Sequence, residues 1–169
     1  MNFGIAYGIS AFGLAQRLGC PRGEAQDIIN NYFARFPGVR NYIDETLAFA
    51  REHGYVKTLL GRRRYLRDVN SRNQTIRTAT ERVAINAPIQ GTAADMIKIA
   101  MVRVYDALRD AKVKTKLLLQ VHDELVLEGP KTEVEQVSAI LREQMMNALP
   151  LEVPVIVEVG TGPNWLTAH

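Results

Sequence analysis

The apolar positions of this chain fall at helical spacing first and at strand spacing later. Asn2 to Leu18 carries Phe3 and Tyr7 four residues apart, and Gly4 and Gly8 likewise, so on a single helix each pair shares a face. A glycine inside a helix costs about 1 kcal/mol relative to alanine, so two within one turn imply a purpose. Either something large approaches the backbone beside two exposed rings, or two helices cross there with the rings in the core. Gly19-Cys20-Pro21-Arg22-Gly23 interrupts the pattern. Glu24–Phe36 resumes it with a stripe of Ala25, Ile28, Ile29, Tyr32, Phe33 and Phe36. Beyond Pro37-Gly38, Val39–His53 forms another helix that Gly54 ends. The aromatics of both helices are expected in the core, and His53 complements a helix C-terminus rather than acting as a ligand.

From Tyr55 the pattern changes. Tyr55–Leu66 holds two β-prone runs around Gly61, a hairpin that presents Arg62, Arg63 and Arg64 near its bend. Residues 67–72 are loop, and a long helical pattern runs from Asn73 to about Asp110, interrupted by Pro88. Proline removes one hydrogen bond and bends a helix axis. Across that bend Arg82, Asn86 and Gln90 recur every four residues, a polar line on an otherwise apolar helix. Such a line needs partners, from the protein itself or from a nucleic-acid groove. Leu117–Val121 and Leu125–Leu127 then flank His122-Asp123-Glu124, and Gly129-Pro130 follows, which predicts a second hairpin. Turns of this kind usually carry Asn-Gly or Asp-Gly; a His and two acids suit either a solvated cap or a site for substrate or metal. Lys131–Ala148 is an amphipathic helix, Val155–Val159 a strand, and the last residues a turn on which Trp165 packs back as an anchor. Helices first, then strands mixed with long helices, give an α+β fold with a small antiparallel sheet.

Composition narrows the class. The chain has 169 residues, 47% hydrophobic and 23% charged, which suits one globular domain. A single cysteine, Cys20, excludes an internal disulfide and fits a reducing cytoplasm. No run is long enough to span a membrane, and the N-terminus lacks the regions of a signal peptide. Charge is unevenly placed. Between Lys57 and Arg82 eight positive residues, including Arg67, Arg72 and Arg77, face only Asp68 and Glu81, a net +6 within a chain of net +3. A solvated face would explain it, but seven of the eight are arginine, which suits bidentate phosphate contacts. A polyanion partner is the expected consequence.

Three stretches in order resemble the A-family DNA polymerases of the bacterial DNA polymerase I type. They are N-F-G-I-A-Y-G at 2–8, E-R-V-A-I-N-A-P-I-Q-G-T-A-A-D at 81–95 and Q-V-H-D-E-L at 120–125. T-L-L-G-R-R-R-Y-L at 58–66 and G-P-N-W at 162–165 look like that family too. The resemblance covers nearly the whole chain and implies a partial fingers and palm, with fingers over 1–54 and palm over 55–169. It places Phe3 and Tyr7 against the incoming nucleotide and template base. It places Arg82, Asn86 and Gln90 on the primer–template near the growing end, and His122 at the primer terminus. The arginines between 62 and 77 would then make sequence-independent backbone contacts. Asp123 matches the palm aspartate that binds metal, and Glu124 its lesser neighbour.

The implied chemistry is DNA-directed addition of dNTPs to a primer 3′-hydroxyl by two Mg²⁺ ions, for which Mn²⁺ can substitute, about 3.5–4 Å apart. The implied partners are primer–template DNA, dNTPs and the remainder of a polymerase chain, with no membrane. The family's second aspartate, on a D-Y-S-Q-I-E-like strand, has no counterpart here, nor do the thumb and the fingers Arg and Lys that grip the triphosphate. Asp44, Asp95, Asp106 and Asp110 fall on helical patterns. The expectation is a chain that cannot polymerise alone and leaves a sheet edge open to association. A non-catalytic nucleic-acid-binding module is the competing reading, and an RNA-templated or phage-type relative a third.

Overall fold

A computed structural model describes residues 4, 5 and 8–168. The chain forms two compact units, Met1–Thr92 and Ala93–His169. The fold is α+β, with two separate two-stranded antiparallel sheets among the described residues. No helix among them is long and apolar enough to cross a membrane.

The first unit begins differently from expectation. Instead of one helix from Asn2, helix α1 spans Ala11–Leu18. Gly4 and Ile5 are helical, but Gly8 has φ +78° and Ser10 is extended. Ser10 Oγ accepts from Gly13 N at 3.1 Å, so a capping side chain restarts the helix. Gly8 is therefore a left-handed break rather than a mid-helix glycine, and Phe3 and Tyr7 lie outside the described residues. Helix α2, Arg22–Arg35, buries Ala25 and Ile29 against Ile5, Leu14 and Ala15, with Tyr32 and Phe33 packed alongside. Phe36 is a correction: it caps the junction between helices and is 49% exposed. Helix α3, Pro37–His53, starts with proline in its first turn and ends on Gly54 at φ +74°.

Strands β1 (Tyr55–Lys57) and β2 (Arg63–Tyr65) pair as the expected hairpin, with Val56 opposite Arg64. Val56 turns inward onto Ala50, Leu66, Val69 and Ala84. Helix α4 runs unbroken from Gln74 to Asp110 through Pro88. Asn73 Oδ1 accepts from Thr75 N at 3.0 Å and begins it. Pro88 has no N–H to offer the carbonyl of Ala84, and the neighbouring Ile85 carbonyl accepts from the Tyr42 hydroxyl of α3 at 2.8 Å. Leu47 and Ala50 of α3 pack with Ala84 and Ala87 on the same turn.

In the second unit β3 (Lys116–Val121) and β4 (Glu124–Glu128) pair from Lys116↔Glu128 to Val121↔Glu124, with a bulge between Leu117 and Leu119. Leu125 and Leu127 pack on a core of Val104 and Leu108 from α4 and Val137 and Leu141 from α5. The helix expected over Lys131–Ala148 is shorter: a 3-10 turn at Lys131–Glu133 leads into α5, Val134–Met146. Val155–Val159 forms no strand. Extended chain becomes a strand only with a ladder partner, none is present among the described residues, and Ile156 is 82% exposed. Trp165 opens the short helix α6, Trp165–Ala168, and at 47% exposure is no buried anchor.

Candidate functional site

Hairpin β1–β2 and helix α4 enclose an open cleft of about 600 Å³ inside the first unit. Arg62, Arg63 and Arg64 line it from the hairpin, with Lys57 beside them, while Arg82, Asn86 and Gln90 line it from the helix. The two polar groups singled out in the sequence thus face one space. Alternation puts Val56 and Arg64 on one side of the hairpin and Tyr55, Lys57, Arg63 and Tyr65 on the other. Arg63 sits 4.8 Å above the Tyr55 ring, a cation–π contact that orders its guanidinium without using its N–H donors.

The electrostatics are one-sided. Five of the lining residues are cationic and none is acidic. Glu81, next to Arg82, is engaged elsewhere: it takes Arg51 at 2.8 Å and lies 4.0 Å from Arg77. Arg77 is outside the cleft lining and donates to the Ser71 carbonyl at 3.0 Å and to Gln74. Arg72 is exposed and also outside it. Asn86 Oδ1 is buried without a hydrogen-bond partner. A buried acceptor in that state costs free energy.

The acidic turn is in the second unit. Val121 pairs with Glu124, so His122 and Asp123 are the two central residues of the β3–β4 turn. His122 has φ +52°, the left-handed side of the backbone map, where hairpin turns usually place glycine or asparagine. Gln120 Nε2 donates to the His122 carbonyl and braces it. His122 and Asp123 are exposed and Glu124 is half-buried. The carboxylate oxygens of Asp123 and Glu124 are the hard donors that Mg²⁺ takes, so Asp123 fits part of such a site. Among the described residues no group of three or more His, Cys, Asp or Glu gathers to complete one. Asp44 and Asp106 pair with Arg40 and Arg109 at 3.0 Å, Asp110 lies 3.3 Å from Arg109, and Asp95 is half-buried on α4.

Two features escaped the sequence reading. Glu133 accepts from Lys114 N at 3.0 Å, Thr115 N at 2.9 Å and Thr115 Oγ1 at 2.7 Å. The Lys114 amide, then the Thr115 hydroxyl and amide, hold its carboxyl below the usual range against a smaller opposing effect of burial. Thr58, Gly91 and Thr92 join the tip of the basic hairpin to α4. Both contacts span about twenty to thirty residues, and no periodicity reports such distances. The only trace of the second is a Gly-Thr pair following Gln90 on the polar line.

The pattern that defines DNA polymerase family A matches residues 1–167. The chain is 57% identical over 164 residues to DNA polymerase I of Chloroflexus aurantiacus, covering 96% of this chain and 17% of that one. It is 54% identical over 165 residues to DNA polymerase I of Deinococcus radiodurans, covering 98% and 17%. A solved structure of the POL domain of Pol1 from M. smegmatis, in complex with DNA primer-template and dNTP, superposes with a TM-score of 0.96. Identity there is 49%, over 99% of this chain and 30% of that one. The chain thus spans less than a fifth of the length of these two curated relatives.

Proposed function

Since the chain belongs to DNA polymerase family A, we propose that it is fingers (1–54) and palm (55–169) sequence of a cytoplasmic DNA-directed DNA polymerase. The reaction joins a primer 3′-hydroxyl to the α-phosphate of a dNTP and releases pyrophosphate. The observation that carries this reading is the shared cleft of Arg62–Arg64 with Arg82, Asn86 and Gln90. A copying enzyme must hold any sequence equally well. Arg63 and Arg64 on the hairpin suit the phosphates of the primer–template, which carry no sequence information. Donors from Arg82 and Gln90 suit the minor groove, where every base pair offers acceptors in nearly the same places.

Asp123, with Glu124 as its lesser neighbour, is the residue that would hold divalent metal, Mg²⁺ or Mn²⁺. When bound, that metal lowers the barrier to phosphoryl transfer by activating the hydroxyl and neutralising phosphate charge. His122, beside Asp123, would orient the primer terminus. Phe3 and Tyr7, outside the described residues, would stack on the incoming nucleotide and template base. A two-ion site needs carboxylates beyond Asp123 and Glu124, and among the described residues no group of three or more His, Cys, Asp or Glu gathers. The chain alone should therefore bind primer–template without extending it.

Asp123→Ala in a complete polymerase carrying this segment separates catalysis from binding. Loss of a metal ligand should lower extension on the order of 10³-fold, several kcal/mol of barrier, with primer–template affinity nearly unchanged. Surviving extension would make the segment a non-catalytic nucleic-acid-binding module.

A further inference from the structure

We propose that Arg62 is a positioning residue of the basic cleft, not one of its phosphate contacts. It acts with Thr58, Gly91 and Thr92 as a latch that sets the spacing between hairpin and helix. The inference rests on the reading of the cleft as a DNA-binding surface.

Three contacts close the latch. Arg62 Nη2 donates to the Gly91 carbonyl at 2.9 Å, across 29 residues of chain. Leu59 N donates to Thr92 Oγ1 at 3.1 Å, and that hydroxyl donates in turn to the Pro88 carbonyl at 2.6 Å. Thr58, 7% exposed, fills the space over Gly91, where an added Cβ would stand 2.6 Å from Thr58 Cγ2. The hairpin tip is itself tied: Thr58 N donates to the Arg62 carbonyl at 2.9 Å, and Arg62 N to Thr58 Oγ1 at 3.2 Å. A compact turn is thereby fastened to the helical turn that begins one residue after Gln90.

Consecutive arginines consequently differ in what they can do. Arg62 has a guanidinium nitrogen committed to a backbone carbonyl at a defined place. The side chains of Arg63 and Arg64 are exposed and make no hydrogen bond or ion pair among the described residues, so their planar donor forks remain open to phosphate. Releasing Arg62 would let the hairpin move relative to Asn86 and Gln90. DNA would then meet the remaining charges in a wider or more mobile cleft.

Salt dependence distinguishes a positioning residue from a phosphate contact. Each phosphate neutralised contributes roughly −0.9 to the slope of log affinity against log salt. Binding of a short primer–template duplex to the 169-residue chain is measured from low to moderate salt for wild type, Arg64→Ala, Arg62→Ala and Thr92→Val. Arg64→Ala should flatten the slope by about one. Arg62→Ala should weaken binding on the order of tenfold and, because it also removes one cleft charge, flatten the slope by clearly less than Arg64→Ala does. Thr92→Val changes no charge and should weaken binding at every salt with the wild-type slope, and the double variant Arg62→Ala/Thr92→Val should lose less than the two losses combined. Melting curves keep each comparison to temperatures where both proteins are folded, so simple destabilisation does not imitate the effect. An Arg62→Ala slope as flat as that of Arg64→Ala, or full affinity in Thr92→Val, overturns the latch. Wild type showing no salt-dependent binding overturns the reading of the cleft itself, and the latch with it.

Discussion

The molecule carries two hairpins with opposite charge, and they are stabilised in opposite ways. The basic one is short, three residues per strand, yet its tip is fastened to α4 and its inward residue Val56 is 2% exposed. The acidic one has strands of six and five residues. Its Leu125 and Leu127 reach a core, while Leu118 and Leu119 of β3 are 52% and 43% exposed beside the bulge. Both sheets have two strands and so leave edges unpaired among the described residues, but the acidic one has the longer edges and carries the exposed leucines. A free edge with exposed leucines is a template for a further strand. The contrast separates the two halves of the proposed chemistry. Grip on a polyanion is finished within one compact unit, whereas the acidic turn stands on a sheet that can still be extended.

The largest expected effect tests the fastening of the basic hairpin. Gly91→Ala puts a methyl 2.6 Å from the Cγ2 of buried Thr58. Overpacking of this kind costs about 1–3 kcal/mol, against a gain of about 1 kcal/mol in helix propensity. Net destabilisation is expected in urea unfolding, with most of it recovered in Gly91→Ala/Thr58→Ser, which deletes the clashing carbon and keeps the hydroxyl. If Gly91→Ala is more stable than wild type, propensity has won and the hairpin is not held close.

That contact also shows where sequence reading stops. Helix α4, both hairpins and the polar line 82–86–90 were legible because each is a pattern within a few turns of chain. Pro88 reads as an interruption in the sequence, yet α4 continues through it, and the α3 residue bonded to the turn before it, Tyr42, lies 43 positions from its partner. The N-terminal helix was read as continuous because Phe3/Tyr7 and Gly4/Gly8 keep helical spacing, while the competing signal was a single capping side chain, Ser10. Val155–Val159 has strand composition, but pairing is a property of two segments, and composition describes one. For the site, residue types and spacing indicated Asp123 and the arginines. They could not indicate that Arg62 points at a carbonyl or that Glu81 is turned away from the cleft.

The next effect concerns the base of the acidic hairpin. Glu133 holds Lys114 and Thr115, directly before β3, through both amides and the Thr115 hydroxyl. Folding lowers its pKa, so its ionised form favours the native state. That contribution is complete above the carboxylate's unfolded pKa and disappears as pH falls through the lower folded value. Glu133→Gln should therefore melt below wild type at neutral pH, with the difference closing as both are titrated below the carboxylate range. A gap that persists in acid would mean that the side chain acts through packing instead of charge.

The smallest change in stability, and the one that most sharpens the contrast, is expected at the tip of that hairpin. His122 occupies φ +52°, a region that costs a non-glycine residue about 1–2 kcal/mol. Glycine removes the strain but gives the unfolded chain more freedom, a loss of about 0.4–1 kcal/mol. His122→Gly should accordingly leave the chain as stable as wild type or slightly more so. His122→Val, β-branched in the same conformation, should be clearly less stable. The same His122→Gly change in a complete polymerase should lower primer extension, because the imidazole beside Asp123 is lost. Unchanged stability with reduced extension would identify a strained turn retained for its side chain. Loss of stability in His122→Gly, with extension intact, would mean that His122 serves the hairpin and that the acidic tip is ordinary turn structure.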